Sequence, residues 1–320
     1  MNSSPVVIEN LHRHYGWLDA VNGLSLEVPR GSLLALVGPN GAGKTTTLKV
    51  AMNLLRPSEG SVSVFGKDSR KLNWRDFQQI GYVSENQQLP DFMTVRQFLN
   101  FCRPMYPTWD SAFCAELKHQ FKLDYDQQRI GHLSRGMRMK AALLSSLAYR
   151  PKLLVLDEPF SGLDAVVRED LSRAILQFVR EEDWTILITS HDIDEIERLA
   201  DRVAIMQEGT LTVNESVTAL QERFRRVQVT LPNAGTLMVK LPNTWLQTEQ
   251  NGARLCFVDS TFESEEKLKS QLPANSQIET LTMSLREIYI AIATKTLKPR
   301  VTLKNFNRMN AENSDFQPGR

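Results

Sequence analysis

Gly38-Pro39-Asn40-Gly41-Ala42-Gly43-Lys44-Thr45 decides how this chain is read. The octapeptide fits G-x-x-x-x-G-K-[ST], a loop that cradles phosphate. The apolar run Leu33–Val37 leads in as a buried strand, and residues 44 to about 55 lead out as a helix. Strand, glycine-rich turn and helix start are the context the motif needs. The glycines let backbone N–H groups approach an anion. The helix start, with Thr46 in its first turn, adds the positive end of its dipole. Lys44 is placed to reach the β- and γ-phosphates of a bound nucleotide, and the Thr45 hydroxyl to ligate Mg2+.

The rest of the composition narrows the class. The 320 residues suit one large domain and a smaller one, and a hydrophobic content of 42% fills a real core. A net charge of +1 gives no electrostatic footprint for nucleic acid, so none is expected as a partner. Cys102, Cys114 and Cys256 form no CxxC pair, which fits a reducing compartment. MNSSPVVIEN lacks the basic and apolar regions of a signal peptide, and no apolar run approaches the ~18 residues of a transmembrane helix. A soluble, cytoplasmic protein is expected, with any membrane role supplied through a partner.

Residues 5–30 alternate apolar and polar positions (Val6, Ile8, Leu24, Leu26, Val28) and read as antiparallel strands turning near Tyr15-Gly16. Ser61–Gly66 and Ile80–Val83 read as further strands. Residues 94–150 are helix-rich, with capping candidates at Thr94 and Ser134. Leu153–Asp157 and Thr185–Thr189 are continuous apolar runs around a helical stretch, the pattern of parallel strands covered on both faces. After about Glu222 the composition changes. Arg226–Leu231, Thr236–Leu241, Leu255–Val258 and Ile278–Thr282 read as strands, and Ser264–Leu272 as a helix. Ser284-Leu285-Arg286-Glu287 is a capping box that opens a last helix. The expected organisation is a main domain over 1–221, a small α+β domain over 222–302 and a disordered tail over 303–320.

Two further constellations carry chemistry. In Lys152–Pro159, KLLVLDEP, Asp157 ends an apolar strand where a carboxylate can hold Mg2+. Glu158 comes next, at the tip, where a carboxylate can deprotonate an attacking water. One apolar strand further on, His191 in Thr189-Ser190-His191-Asp192 stands where an imidazole can hydrogen-bond the γ-phosphate.

The order and wording of these motifs resemble the nucleotide-binding subunit of an ABC transporter over residues 5–220. The resemblance implies a P-loop ATPase of α/β class. Its parts are an N-terminal antiparallel subsheet, a helical subdomain over about 94–150 and a small C-terminal α+β domain. It implies that Tyr15 stacks on adenine. It places Leu133-Ser134-Arg135-Gly136-Met137 at the family's signature, where Ser134 and Gly136 face the γ-phosphate held by a second subunit. It places Asp164 in the loop that couples the two sites. Two copies would then sandwich ATP and Mg2+. Their cycling would drive export through a separately encoded permease at the cytoplasmic membrane face. An importer subunit shares every motif; a nucleic-acid or ribosome ATPase would have long coiled-coil inserts or a second cassette.

Two departures stand out. The signature of this family usually reads LSGGQ, and here Arg135 and Met137 replace its third and fifth residues. Arg135 either strengthens phosphate binding or is a solvated surface side chain. Glu85 stands where the family's metal-and-water loop has Gln; Gln87 or Gln88 could substitute if the loop is longer. The aromatic segment Arg103–Asp110 reads either as a permease-receiving surface or as a packed loop.

Overall fold

The computed structural model describes residues 4–123, 125–182, 184–232 and 241–296. The chain divides into two compact units between Ala219 and Leu220, two residues before the boundary set from composition.

The first unit opens with β1 (Val6–Tyr15), β2 (Leu18–Val28), β3 (Leu33–Val37), α1 (Lys44–Ala51), β4 (Glu59–Val64) and β5 (Lys67–Asp68). Next come α2 (Trp74–Phe77), β6 (Ile80–Ser84), α3 (Val95–Cys102), α4 (Ser111–Gln120), α5 (Arg135–Leu147) and β7 (Leu153–Asp157). It continues with α6 (Ala165–Glu182), β8 (Thr185–Ser190), α7 (Ile193–Glu197), β9 (Arg202–Gln207) and β10 (Thr210–Ser216).

β1 and β2 pair antiparallel, and β1 also pairs β4, giving a sheet ordered β2-β1-β4-β5. A second sheet is ordered β10-β9-β3-β8-β7-β6; all its pairings are parallel except β10 on β9. β3, β7 and β8 are buried at every position, which is why their sequences are unbroken apolar runs rather than alternations. The two sheets share one core with α1. Val6, Ile8, Leu24 and Val62 of the antiparallel sheet join Leu34, Leu36, Leu48, Leu153 and Leu187. At about 25 cal/mol per Å2, burial of such side chains is the main stabilising contribution.

Helix α1 is shorter than its sequence suggests. It stops at Ala51 because Asn53 adopts a left-handed φ of 56°, and the Leu54 and Leu55 N–H groups fold back onto the Lys49 carbonyl. The expected caps form in the helical region. Thr94 and Gln97 make a reciprocal capping box at α3, and Ser134 Oγ accepts from Met137 N at α5. The aromatic segment 103–110 is tied to the end of α5. Tyr106 stacks on Tyr149 with centroids 3.8 Å apart, and Thr108 Oγ1 donates to the Tyr149 carbonyl at 2.8 Å. Phe101 beside it and Met105 within it stay exposed.

After α8 (Val217–Arg223), the second unit holds β11 (Arg225–Thr230), β12 (Trp245–Asn251), β13 (Arg254–Asp259), α9 (Glu265–Ser270), β14 (Gln277–Thr282) and α10 (Leu285–Thr296). Its antiparallel sheet runs β12-β13-β11-β14. One face buries Val227, Val229, Leu255, Trp245 and Phe257, with the rings of Trp245 and Phe257 stacked at 3.9 Å. Ser284 and Glu287 form the reciprocal cap that opens α10. The sequence reading missed β12, whose alternation is broken by the left-handed Gln247. Of its expected strand Thr236–Leu241 only Leu241 is described, and that residue lies in no strand; the tail 303–320 also lies outside the described residues. No helix among the described residues is long and apolar enough to cross a membrane.

Candidate active site

In the parallel sheet the carboxyl ends of β3, β7 and β8 lie side by side, and the candidate residues sit just beyond those ends. The loop from β3 to α1 is shaped by its glycines. At Gly43, with φ of 102°, a Cβ would lie 2.2 Å from the Ala20 carbonyl oxygen; at Gly38 one would lie 2.2 Å from that of Met206. No other residue fits either position. The loop lines a cleft of about 310 Å3 with Tyr15, Leu18, Ala20, Glu85 and Glu158, and Asn40, Gly41, Ala42, Gly43, Lys44, Thr45 and Thr46 form its floor. Gly38 and Pro39 act through their carbonyls, which accept from Lys44 Nζ at 2.7 and 3.2 Å.

Lys44 is only 5% exposed, so its charge needs a counterion. Glu158 Oε1 provides it at 3.1 Å. The other oxygen of Glu158 lies 2.7 Å from His191 Nδ1 and accepts from the His191 backbone N–H at 3.3 Å. Glu158 itself holds a left-handed φ of 52°, a strain of roughly 1–2 kcal/mol for an L-residue. Its N–H donates to Thr189 Oγ1 at 2.9 Å, which helps hold that conformation. The Thr189 hydroxyl in turn donates to Asp157 Oδ1 at 2.8 Å, and the Thr45 hydroxyl donates to the same oxygen at 2.9 Å. Thr45 and Asp157 thus present a hydroxyl and a buried carboxylate side by side. This is the hard-oxygen donor set that suits Mg2+ with phosphate oxygens completing its shell.

Tyr15 is 42% exposed at the rim, and the Arg13 guanidinium lies 4.6 Å from its ring centre. It is therefore no core tyrosine: one face is covered by a cation and the ring borders the cleft. Glu85 lines both this cleft and a larger neighbouring one of about 730 Å3, whereas Gln87 and Gln88 line only the larger one, which favours Glu85 over either glutamine.

Ser134, Gly136 and Asp164 do not line the P-loop cleft. Ser134 caps α5, and Gly136 packs where a Cβ would come within 3.1 Å of Val167. Asp164 accepts from the Val166 and Val167 N–H groups at 3.1 and 3.0 Å and so caps α6. That loop is connected to His191 through residues the sequence reading passed over. Arg168 Nη2 donates to the Leu163 carbonyl at 3.3 Å, and its Nη1 pairs with Glu195 at 3.0 Å. Glu195 accepts from Ser190 Oγ at 3.1 Å. Glu195 is 7% exposed, and burial pushes its carboxyl above the ordinary range despite Arg168. The missed signal was a Glu four residues after His191 at the start of a helix.

Known proteins share the sequence and fold of this chain. Residues 21–161 match the family model described as ABC transporter. The ABC transporter ATP-binding protein YtrB of Bacillus subtilis is 28% identical over 268 residues, 84% of this chain and 91% of that one. The ABC transporter ATP-binding protein YhaQ of the same organism, itself uncharacterised, is 33% identical over 230 residues, 71% of this chain and 76% of that one. The sulfate/thiosulfate import ATP-binding protein CysA of Yersinia pseudotuberculosis is 33% identical over 214 residues; the match spans 64% of this chain and 59% of CysA. Among solved structures, an ATP-binding subunit of an ABC transporter superposes with a TM-score of 0.62 at 25% identity, over 68% of this chain and 92% of that one. The dimeric cassette MJ0796, bound to ADP and phosphate, does so at 0.60 and 21%, over 66% and 98%, and shows the fold alone. The chain belongs to the family of ABC transporter ATP-binding proteins, the ATP-hydrolysing subunits of those transporters.

Proposed function

We propose that this chain hydrolyses Mg-ATP in the P-loop cleft, with Glu158 as general base and His191 as reader of the γ-phosphate. The observation that carries the reading is the Lys44–Glu158–His191 cluster: one buried carboxylate is bonded on both sides by the two groups that a γ-phosphate would recruit. When the phosphate engages Lys44 and His191, Glu158 gives up two partners and is left to accept a proton from water. Thr45 and Asp157 would hold Mg2+, which neutralises charge on the phosphates. Tyr15 would stack on adenine. Glu158→Gln tests the assignment: ATP affinity should stay within a few-fold while turnover falls at least about a hundredfold. Unchanged turnover would remove Glu158 from the chemistry.

A second copy of the chain would supply the capped end of α5, with Ser134 and Gly136, to the same phosphate, and its Asp164 loop would couple the two sites. MJ0796, whose fold this chain shares, is dimeric. The work would be coupled to export through a separate permease at the cytoplasmic face of the membrane. Exposed Phe101 and Met105 in the helical region, with Phe92 in the loop before it, supply apolar surface for it. Likeness to the importer subunit CysA favours import as a second reading. Isolating the chain with its membrane partner and measuring in which direction ATP moves substrate across vesicles separates the two.

A further inference from the structure

Glu85 and Arg135 read in the sequence as two unrelated departures from the family's wording. The fold makes them one feature. Arg135 Nη2 donates to Glu85 Oε1 at 2.5 Å, and Ser161 Oγ donates to the same oxygen at 2.7 Å. The guanidinium lies over Gly162, where a Cβ would come within 2.6 Å of Nη1. Three segments meet at this point: the loop after β6, the first turn of α5 and the loop between β7 and α6. Both loops are anchored to the chemistry. The Glu85 N–H donates to the Asp157 carbonyl at 2.9 Å, and the Ser161 N–H to the Glu158 carbonyl at 3.2 Å.

We propose that Arg135 is a positioning residue for Glu85, and that the pair fastens the signature end of α5 to its own subunit's nucleotide loops until Glu85 turns toward the metal. This rests on the reading of the P-loop cleft as the Mg-ATP site. Three physical facts support it. First, a cation in the first turn opposes the helix dipole, and α5 has no acidic residue in that turn to offset it. Glu85 brings the missing negative charge from another loop. Second, Glu85 borders both the P-loop cleft and the larger cleft, whereas Arg135 borders only the larger one. The guanidinium therefore draws the carboxylate away from the P-loop side. Third, the contact is half-exposed, Arg135 at 51%, so solvent screening keeps it weak. A bond that weak biases an equilibrium without freezing it. Because the coupling is reciprocal, engagement of Glu85 in the P-loop cleft frees Arg135 and the positive end of α5 for an anion.

The test is equilibrium binding of a fluorescent ATP analogue to the full chain, with Mg2+ and with EDTA. It compares the unaltered protein with Arg135→Gly, Arg135→Lys, Glu85→Gln and the double variant; thermal melts establish that each is folded. Arg135→Gly should tighten binding about two- to fivefold with Mg2+ and leave it unchanged in EDTA. Arg135→Lys, which keeps the charge, should fall back toward the unaltered value. In the Glu85→Gln background, Arg135→Gly should have no effect. An equal effect in both backgrounds, a shift that persists in EDTA, or weakened binding overturns the pairing. Absence of nucleotide binding by the unaltered chain would instead overturn the site itself.

Discussion

The six-stranded sheet and the four-stranded sheet of β11 to β14 each bury an apolar face, yet among the described residues the six-stranded sheet gathers charge where its strands end and the other keeps an apolar interior. At the ends of β3, β7 and β8, a lysine, two carboxylates and two threonine hydroxyls meet within hydrogen-bonding reach. In the sheet of β11 to β14, the corresponding interior is Val227, Val229, Trp245, Leu255 and Phe257. Parallel strands finish at the same edge, so residues more than a hundred positions apart converge there. Antiparallel strands finish at alternating edges, so the loop leaving one strand lies opposite the loop leaving its neighbour. The first arrangement builds a site, and the second builds a packing face.

Four substitutions probe that contrast. Lys44→Ala has the largest expected effect: it removes the proposed phosphate partner and leaves Glu158 buried without its cation. Nucleotide affinity should fall by about 2–5 kcal/mol, at least thirtyfold, in a direct binding assay. Trp245→Ala strikes the packing face, with an expected cost of about 3–5 kcal/mol to the second unit. Hydrogen exchange should report that loss in residues 225–282 while nucleotide affinity holds within about twofold; a matching loss of affinity would show that the second sheet also serves the site. Tyr15→Ala should cost about 1–2 kcal/mol of binding through lost stacking, read by comparing adenosine and inosine nucleotides. Equal affinity would leave the ring without a role.

The smallest effect is the pH response of Glu195. Its folded carboxyl titrates above the ordinary value of 4.5. The folded chain therefore binds more protons than the unfolded one in the interval above that value. The stability that protonation provides is complete below 4.5 and declines as pH rises through the raised value. Glu195→Gln should flatten that decline in urea midpoints measured across the interval. Parallel curves would show that Arg168 and Ser190 already balance the charge.

Much of this was legible in the order of residues. The unbroken apolar runs at Leu33–Val37 and Leu153–Asp157 announce doubly covered strands, and the motif after each run names its chemistry. Thr94 and Ser284 announced helix starts because a cap is a local bond. Residues whose partners are remote were not legible. Thr189 bridging Asp157 and Glu158, Arg168 joining the Leu163 carbonyl to Glu195, and Arg135 reaching Glu85 are side-chain contacts set by how strands and helices sit side by side.

Sequence alone determined the strand–loop–helix proposed to grip phosphate, the carboxylates at the strand tip and the two-unit plan. Each depends on periodicity or on bonds spanning a few residues. Only the tertiary structure decided which cation faces which carboxylate, and that Glu85 rather than Gln87 or Gln88 borders the P-loop cleft. Those choices are made by distances of about 3 Å between segments far apart in the chain, which spacing along a sequence does not encode.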